Sequence, residues 1–198
     1  RMGGGKTSRP LLHARCVGAV VRTAMNRTAC DIEIGFSLGS NLGDRKNHLT
    51  AAKKRILDEP HGRLAAQSSL YETEPVGVKA EYHNMDFLNA VMIVESRLPV
   101  EYWLHRLAAI EKELGRPRSG DRFAPRPMDV DILYAGNSCI DSDGLTIPHP
   151  RWSARRFVVA PLAEVRPDLI LPGMEYTVQQ ILQTLDDHAA CQQLHDSW

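Results

Sequence analysis

The chain has 198 residues, 43% of them apolar, and its 24 basic and 24 acidic side chains cancel. That length suits one domain with a sizeable core, and the composition is that of an ordinary soluble globular protein. No apolar run approaches the length of a membrane span. The charge is unevenly spread: residues 1–30 hold six basic side chains and no acidic one, leaving 18 basic against 24 acidic in the rest, a net of −6. A nucleic-acid binder is usually basic as a whole domain, so the acidic remainder argues against that class. The four cysteines lie far apart without a CxxC pair, which favours reduced thiols in the cytoplasm over a disulfide framework or a zinc site.

The first 30 residues differ from the rest and are expected to be a disordered basic extension, with the folded domain spanning residues 31–198. Gly3-Gly4-Gly5-Lys6-Thr7 has the tail of a phosphate-binding loop but lacks its earlier glycine and preceding strand. The stretch also has the arginine-rich, acid-free character of an organellar transit peptide, although a cytoplasmic location is the simpler expectation.

The folded pattern begins with a strand at Ile32 to Leu38, and the turn cluster Gly39 to Gly43 opens a helix from about Asp44 to Asp58. A second strand is expected over Leu64 to Thr73, then a polar loop to Asp86 and a third strand from Phe87 to Glu95. After Pro99, residues Val100, Trp103, Leu104, Leu107, Ile110 and Leu114 keep helical spacing, and Gly115 stands where a helix-ending glycine belongs. Then come four arginines in eleven residues (Arg116, Arg118, Arg122, Arg126) and a strand from Met128 to Leu133. A turn at Ala135 to Asn137, a short strand at Cys139, the segment Leu145 to Pro150 and helices over Arg155 to Val165 and Val178 to Leu185 complete the pattern. The order β-α-β-β-α-β predicts an α+β, ferredoxin-like core with added C-terminal strands and helices, in three α/β/α layers.

The arginine loop and the strand after it carry the chemistry. Alternate side chains share a strand face, so Asp129 and Asp131 point one way while Met128, Val130 and Ile132 point the other. Two carboxylates about 7 Å apart on one face repel by about 2 kcal/mol at an effective dielectric near 20. Water can relieve that repulsion, or a divalent cation can use it; arginines running into paired aspartates suit Mg²⁺ and a polyphosphate.

Five blocks occur in order: Phe36 to Asp44 (FSLGSNLGD), Tyr71 to Gly77 (YETEPVG), Phe87 to Asn89 (FLN), Ala124 to Leu133 (APRPMDVDIL) and Ile147 to Arg151 (IPHPR). Together they make the chain, from about Ile32 to Leu182, resemble the 6-hydroxymethyl-7,8-dihydropterin pyrophosphokinases of folate biosynthesis. The resemblance implies transfer of a pyrophosphoryl group from ATP to the pterin hydroxymethyl group, with AMP released. It implies that Asp129 and Asp131 hold two Mg²⁺ ions, and that Arg116, Arg118, Arg122 and Arg126 lie on a mobile loop that clamps triphosphate, with Arg116 and Arg126 catalytic. Thr73, Val76, Phe87, Asn89, Phe123 and Phe157 would form the pterin pocket. Glu111, Ile132, Thr146, His149 and Arg155 would join the arginines on the ATP side. Several positions depart from the family's familiar pattern: Phe123 replaces a tryptophan, Gly144 an arginine, Ala108 a glutamine and Pro150 a tyrosine. The expected partners are ATP and the pterin alone, with no nucleic acid and no membrane, acting on a monomer. Two alternatives are a metal-dependent phosphohydrolase and a ferredoxin-like RNA-binding module; the latter needs exposed aromatic motifs on central strands, and none is present in the sequence.

Overall fold

A computed structural model describes residues 31–116, 121, 124–185, 190–194 and 198. The basic stretch 1–30, Arg118, Arg122 and Phe123 lie outside the described residues, and so do the expectations of disorder in that stretch and of mobility in the arginine loop. Strand β1 (Ile32–Ser40) is central, flanked on both sides by antiparallel partners. Helix α1 (Arg45–Leu57) follows, its first turn capped by the Asp44 carboxylate, which accepts the Asn47 N–H at 3.0 Å. Next come β2 (Gly62–Gln67), β3 (Leu70–Thr73), β4 (Phe87–Ser96), α2 (Val100–Glu113) and β5 (Asp129–Ala135). The hairpin β6 (Ile140–Ser142) and β7 (Leu145–Ile147), helices α3 (Arg156–Val165) and α4 (Val178–Thr184), and β8 (Cys191–Leu194) complete the fold.

The main sheet runs β5-β1-β4-β3-β8, with β2 also paired to β4, and every pairing is antiparallel. This is the ferredoxin-like order, as the β-α-β-β-α-β pattern predicts. Burial is nearly continuous along β1 and β4, so side chains that alternate between the two faces are covered on both. On one, Ile34, Phe36 and Leu38 pack with Leu49, Ala52 and Ile56 of α1 and Trp103, Leu107 and Ile110 of α2. On the other, Val91, Ile93 and Leu133 meet Val158, Val159 and Leu162 of α3 with Val178 and Ile181 of α4. The layers are therefore α/β/α.

Two local expectations change. The single strand over Leu64 to Thr73 is two, because at the break the Ser69 N–H turns away from the ladder to the Glu164 carboxylate of α3 at 3.0 Å. The polar loop before β4 contains a short 3₁₀ turn at Ala80–Tyr82. Strand β8 carries no alternation in its sequence; it forms by pairing with the outer edge of β3, Thr73 opposite Cys191 and Leu70 opposite Leu194. Among the described residues, no helix is long and apolar enough to cross a membrane.

Candidate active site

A cleft of about 380 Å³ lies beside edge strand β5, walled by α2, the β6–β7 hairpin and His149-Pro150. Helix α2 commits Trp103, Leu107 and Ile110 to the core, which leaves Leu104, Ala108 and Glu111 on the flank that lines the cleft. An edge strand presents unpaired backbone donors. Here the Glu111 carboxylate accepts the Val130 N–H at 2.8 Å. Glu111 also accepts a hydrogen bond from Arg116, which in turn donates to Asp129 Oδ1 at 2.7 Å. Burial pushes the Glu111 carboxyl up to about 7, against the opposing pull of the Val130 N–H and Arg116.

Asp129 is gripped from a second side by Arg126, whose Nη1 lies 3.4 Å from Oδ2. The two ends of the arginine loop thus converge on one carboxylate. Asp131 has a different environment. His149 approaches it, with Nε2 at 3.9 Å, and the Arg155 and Arg116 charges also act on it. The His149 backbone N–H donates to Leu133 O at 2.8 Å, and its Nδ1 accepts the Arg151 N–H at 3.2 Å, so the neutral ring carries its proton on Nε2, facing Asp131. Burial lowers the His149 pKa, while burial and then the Asp129 charge raise that of Asp131.

Among the described residues, no group of three His, Cys, Asp or Glu side chains could hold a metal ion. A cation at Asp129 and Asp131 would therefore take its remaining ligands from phosphate and water, which is the habit of Mg²⁺. Two carboxylates on one strand face, with the cleft beside them open to phosphate and water, are a donor set that fits such an ion.

On the other side of β1, Asn89 Nδ2 donates to Thr73 Oγ1 at 2.7 Å, both residues buried. Phe87 pairs with Thr73 across β3 and β4. The register then connects this group to the aspartates: Gly39 stands opposite Asn89 on one side and Asp129 on the other. Residues opposed across strands share a face, so the Asn89 amide and the Asp129 carboxylate flank a position with no side chain, two strand spacings or about 10 Å apart. A Cβ on Gly39 would lie 3.0 Å from Asn89 Oδ1 and 3.7 Å from Phe87 Cδ1. This glycine keeps the space beside the amide open.

Ile132, Thr146 and His149 line the cleft with Glu111, Arg116, Asp129 and Asp131. Arg155 lies beyond it, its guanidinium 5.5 Å from the Phe157 ring centre in the first turn of α3. Val76 stands 55% exposed on the loop after β3. Ala108, Gly144 and Pro150, three of the departures from the familiar pattern, all line the cleft. Gly144 has φ +84° in the tight β6–β7 turn, a conformation that an arginine would adopt only with strain. The sequence reading gave Asn41 only a turn-shaping part; the structure joins it to Arg126 and Met85. Its one sequence signal is a polar amide at the end of an apolar strand.

The family described as 7,8-dihydro-6-hydroxymethylpterin-pyrophosphokinase (HPPK) matches residues 35–167. A Haemophilus influenzae protein named 2-amino-4-hydroxy-6-hydroxymethyldihydropteridine pyrophosphokinase is 37% identical over 151 residues, covering 76% of this chain and 92% of the relative. The folate synthesis bifunctional protein of Arabidopsis thaliana is 42% identical over 133 residues, which cover 67% of this chain. The match spans only 27% of that plant protein. The wild-type HPPK-DHPS of Plasmodium falciparum superposes with a TM-score of 0.59 at 13% identity, over 77% of this chain and 44% of that one, a likeness of fold. The matched residues include both the Asn89–Gly39–Asp129 register and the arginine loop, and the chain belongs to the 7,8-dihydro-6-hydroxymethylpterin-pyrophosphokinase family.

Proposed function

We propose that this chain transfers a pyrophosphoryl group from ATP to the hydroxymethyl oxygen of 6-hydroxymethyl-7,8-dihydropterin in folate biosynthesis. Family membership carries the reaction class: the chain is a pyrophosphokinase, an ATP-dependent diphosphotransferase. The observation that supports the assignment of its residues is the register Asn89–Gly39–Asp129. It sets an amide suited to a pterin edge across an open position from a carboxylate ringed by arginines.

In this reading Asn89 and Thr73 hold the pterin's amide and amino edge, with Val76 on the covering loop. Phe87, Phe157 and Phe123 supply apolar faces to the ring. ATP lies in the cleft against Glu111, Ile132, Thr146, His149 and Arg155. Arg116 and Arg126, with Arg118 and Arg122 of the same loop, take the triphosphate oxygens, where planar guanidinium forks match better than ammonium groups. Asp129 and Asp131 would hold Mg²⁺, which neutralises phosphate charge and aligns the attacking and leaving oxygens. The hydroxymethyl oxygen bonds to the β-phosphorus, the bond from that phosphorus to the α,β-bridging oxygen breaks, and AMP leaves with the electron pair. The hydroxyl proton passes to solvent or phosphate. The residues contribute position and charge, the two terms that dominate phosphoryl transfer. We assign the enzyme to the cytoplasm as a monomer acting on two small molecules, with neither nucleic acid nor membrane as partner, and treat residues 1–30 as an extension of the domain. Neither the phosphohydrolase nor the RNA-binding alternative gains support from the family found.

Chromatography of the nucleotides tests the assignment. Given MgATP and the pterin, the protein should release one AMP per pterin consumed and no ADP. ADP formed in step with pterin loss would overturn it.

A further inference from the structure

The turn that leaves β1 reaches both halves of the site. Asn41 is buried at its centre. Its backbone N–H donates to Arg126 O at 3.2 Å, and its side-chain Oδ1 accepts the Arg126 N–H at 2.8 Å. Its Nδ2 reaches Met85 O at a longer 3.5 Å. Four residues on, Arg45 donates to Asp86 O at 2.8 Å and to Glu72 Oε1 at 2.7 Å. One short turn therefore holds the residues just before Phe87 and Asn89, and those just before Asp129.

The grip on Arg126 is the stronger half. Pro125 and Pro127 flank it, and proline has no N–H, so the Arg126 amide is the sole backbone donor of that tripeptide. Asn41 satisfies both this donor and the carbonyl of the same residue. Holding a residue's N–H and C=O together fixes its backbone and so the direction in which its side chain departs; here the guanidinium ends 3.4 Å from Asp129, with Nε donating to Ala124 O at 3.4 Å. The cross-link spans 85 positions of sequence.

We propose that Asn41 is a positioning residue for the transfer step: it fixes Arg126 against Asp129 and sets that pair's place relative to the Asn89 side. The inference rests on the function proposed above. It makes Asn41 matter for turnover more than for binding of either substrate, because the misplacement it prevents is felt where charge develops.

Steady-state kinetics of the full chain with MgATP and the pterin would decide it. Wild type, Asn41→Ala, Asn41→Asp, Arg126→Ala and the Asn41→Ala/Arg126→Ala double variant are compared. Asn41→Ala should lower kcat on the order of 10- to 100-fold, the range for leaving a buried partner unsatisfied, while each KM stays within about threefold. Asn41→Asp keeps the acceptor for the Arg126 N–H and should exceed Asn41→Ala in kcat by about fivefold or more. In the Arg126→Ala background, Asn41→Ala should cost less than about threefold further, since contacting residues that act through one group are not additive. Losses that multiply, an unchanged kcat in Asn41→Ala, or equal kcat in the Ala and Asp variants would overturn the proposal. If Asn41→Ala does not fold, Asn41→Asp decides: a kcat within about tenfold of wild type with unchanged KM supports the role, and a greater loss refutes it. A wild-type protein that releases no AMP would refute the proposed function itself, a result distinct from any of these.

Discussion

Replacing Asp131 with asparagine separates a charge kept for function from one kept for stability. The substitution preserves shape and removes one of two carboxylates about 7 Å apart on the face of β5, whose repulsion is about 2 kcal/mol at an effective dielectric near 20. Arg116 and Arg126 contact Asp129, whereas the positive charge around Asp131 comes from His149, whose pKa burial lowers, and from the Arg155 and Arg116 charges, which burial and the Asp129 charge outweigh. The Asp131 side chain is crowded by protein yet 45% exposed, and water screens the pair accordingly. The net relief is then about 1 kcal/mol. In metal-free buffer at pH 8, urea denaturation should show Asp131→Asn more stable than wild type by about that amount, a rise of ~2–4 °C in Tm. The Asp131 pKa is raised in the fold, so the penalty is absent at low pH and appears as pH rises through the folded value; the variant's advantage should vanish on acidification. With Mg²⁺ and a non-hydrolysable ATP analogue, wild type should gain stability and the variant should not, since only a ligand bound by the native state adds stability. Turnover should fall by about 100-fold or more. A variant less stable than wild type by about 1 kcal/mol under metal-free conditions would mean that favourable partners hold Asp131, and the metal-site reading of this face would fail.

Two further outcomes are expected. Glu111 titrates near 7 instead of 4.5, so its contribution to stability is complete below its ordinary pKa and is lost as pH rises through about 7. The stability of wild type relative to Glu111→Gln should therefore fall by up to about 3 kcal/mol between pH 5 and pH 9, and a pH-independent difference in urea denaturation would contradict it. Removing residues 1–28 should leave kcat/KM within about twofold, since that stretch has neither apolar periodicity nor site-like chemistry; a loss of about tenfold or more would show that it packs on the domain or covers the site.

The sequence by itself determined what depends on near neighbours. Period-2 alternation put Asp129 and Asp131 on one face of a strand and Met128, Val130 and Ile132 on the other, because side-chain direction along a strand is a local property. The 3.6-residue stripe of α2 named Trp103, Leu107 and Ile110 as core for the same reason, and the five ordered blocks were specific enough to suggest the family. Only the tertiary structure decided how those pieces are registered. That Asn89 and Asp129 both oppose Gly39 is a matter of pairing among three strands, and a shift of one residue would turn either side chain to the other face. Glu111 reads as one more charged helix residue until the edge of β5 presents its Val130 N–H. Strand β8 takes shape from the exposed ladder of β3, without a pattern of its own. Asn41 looks like a turn residue until the chain returns, 85 positions later, with a single amide between two prolines. Local sequence encodes which way each side chain points, whereas the partner it meets is set by packing that brings distant segments together.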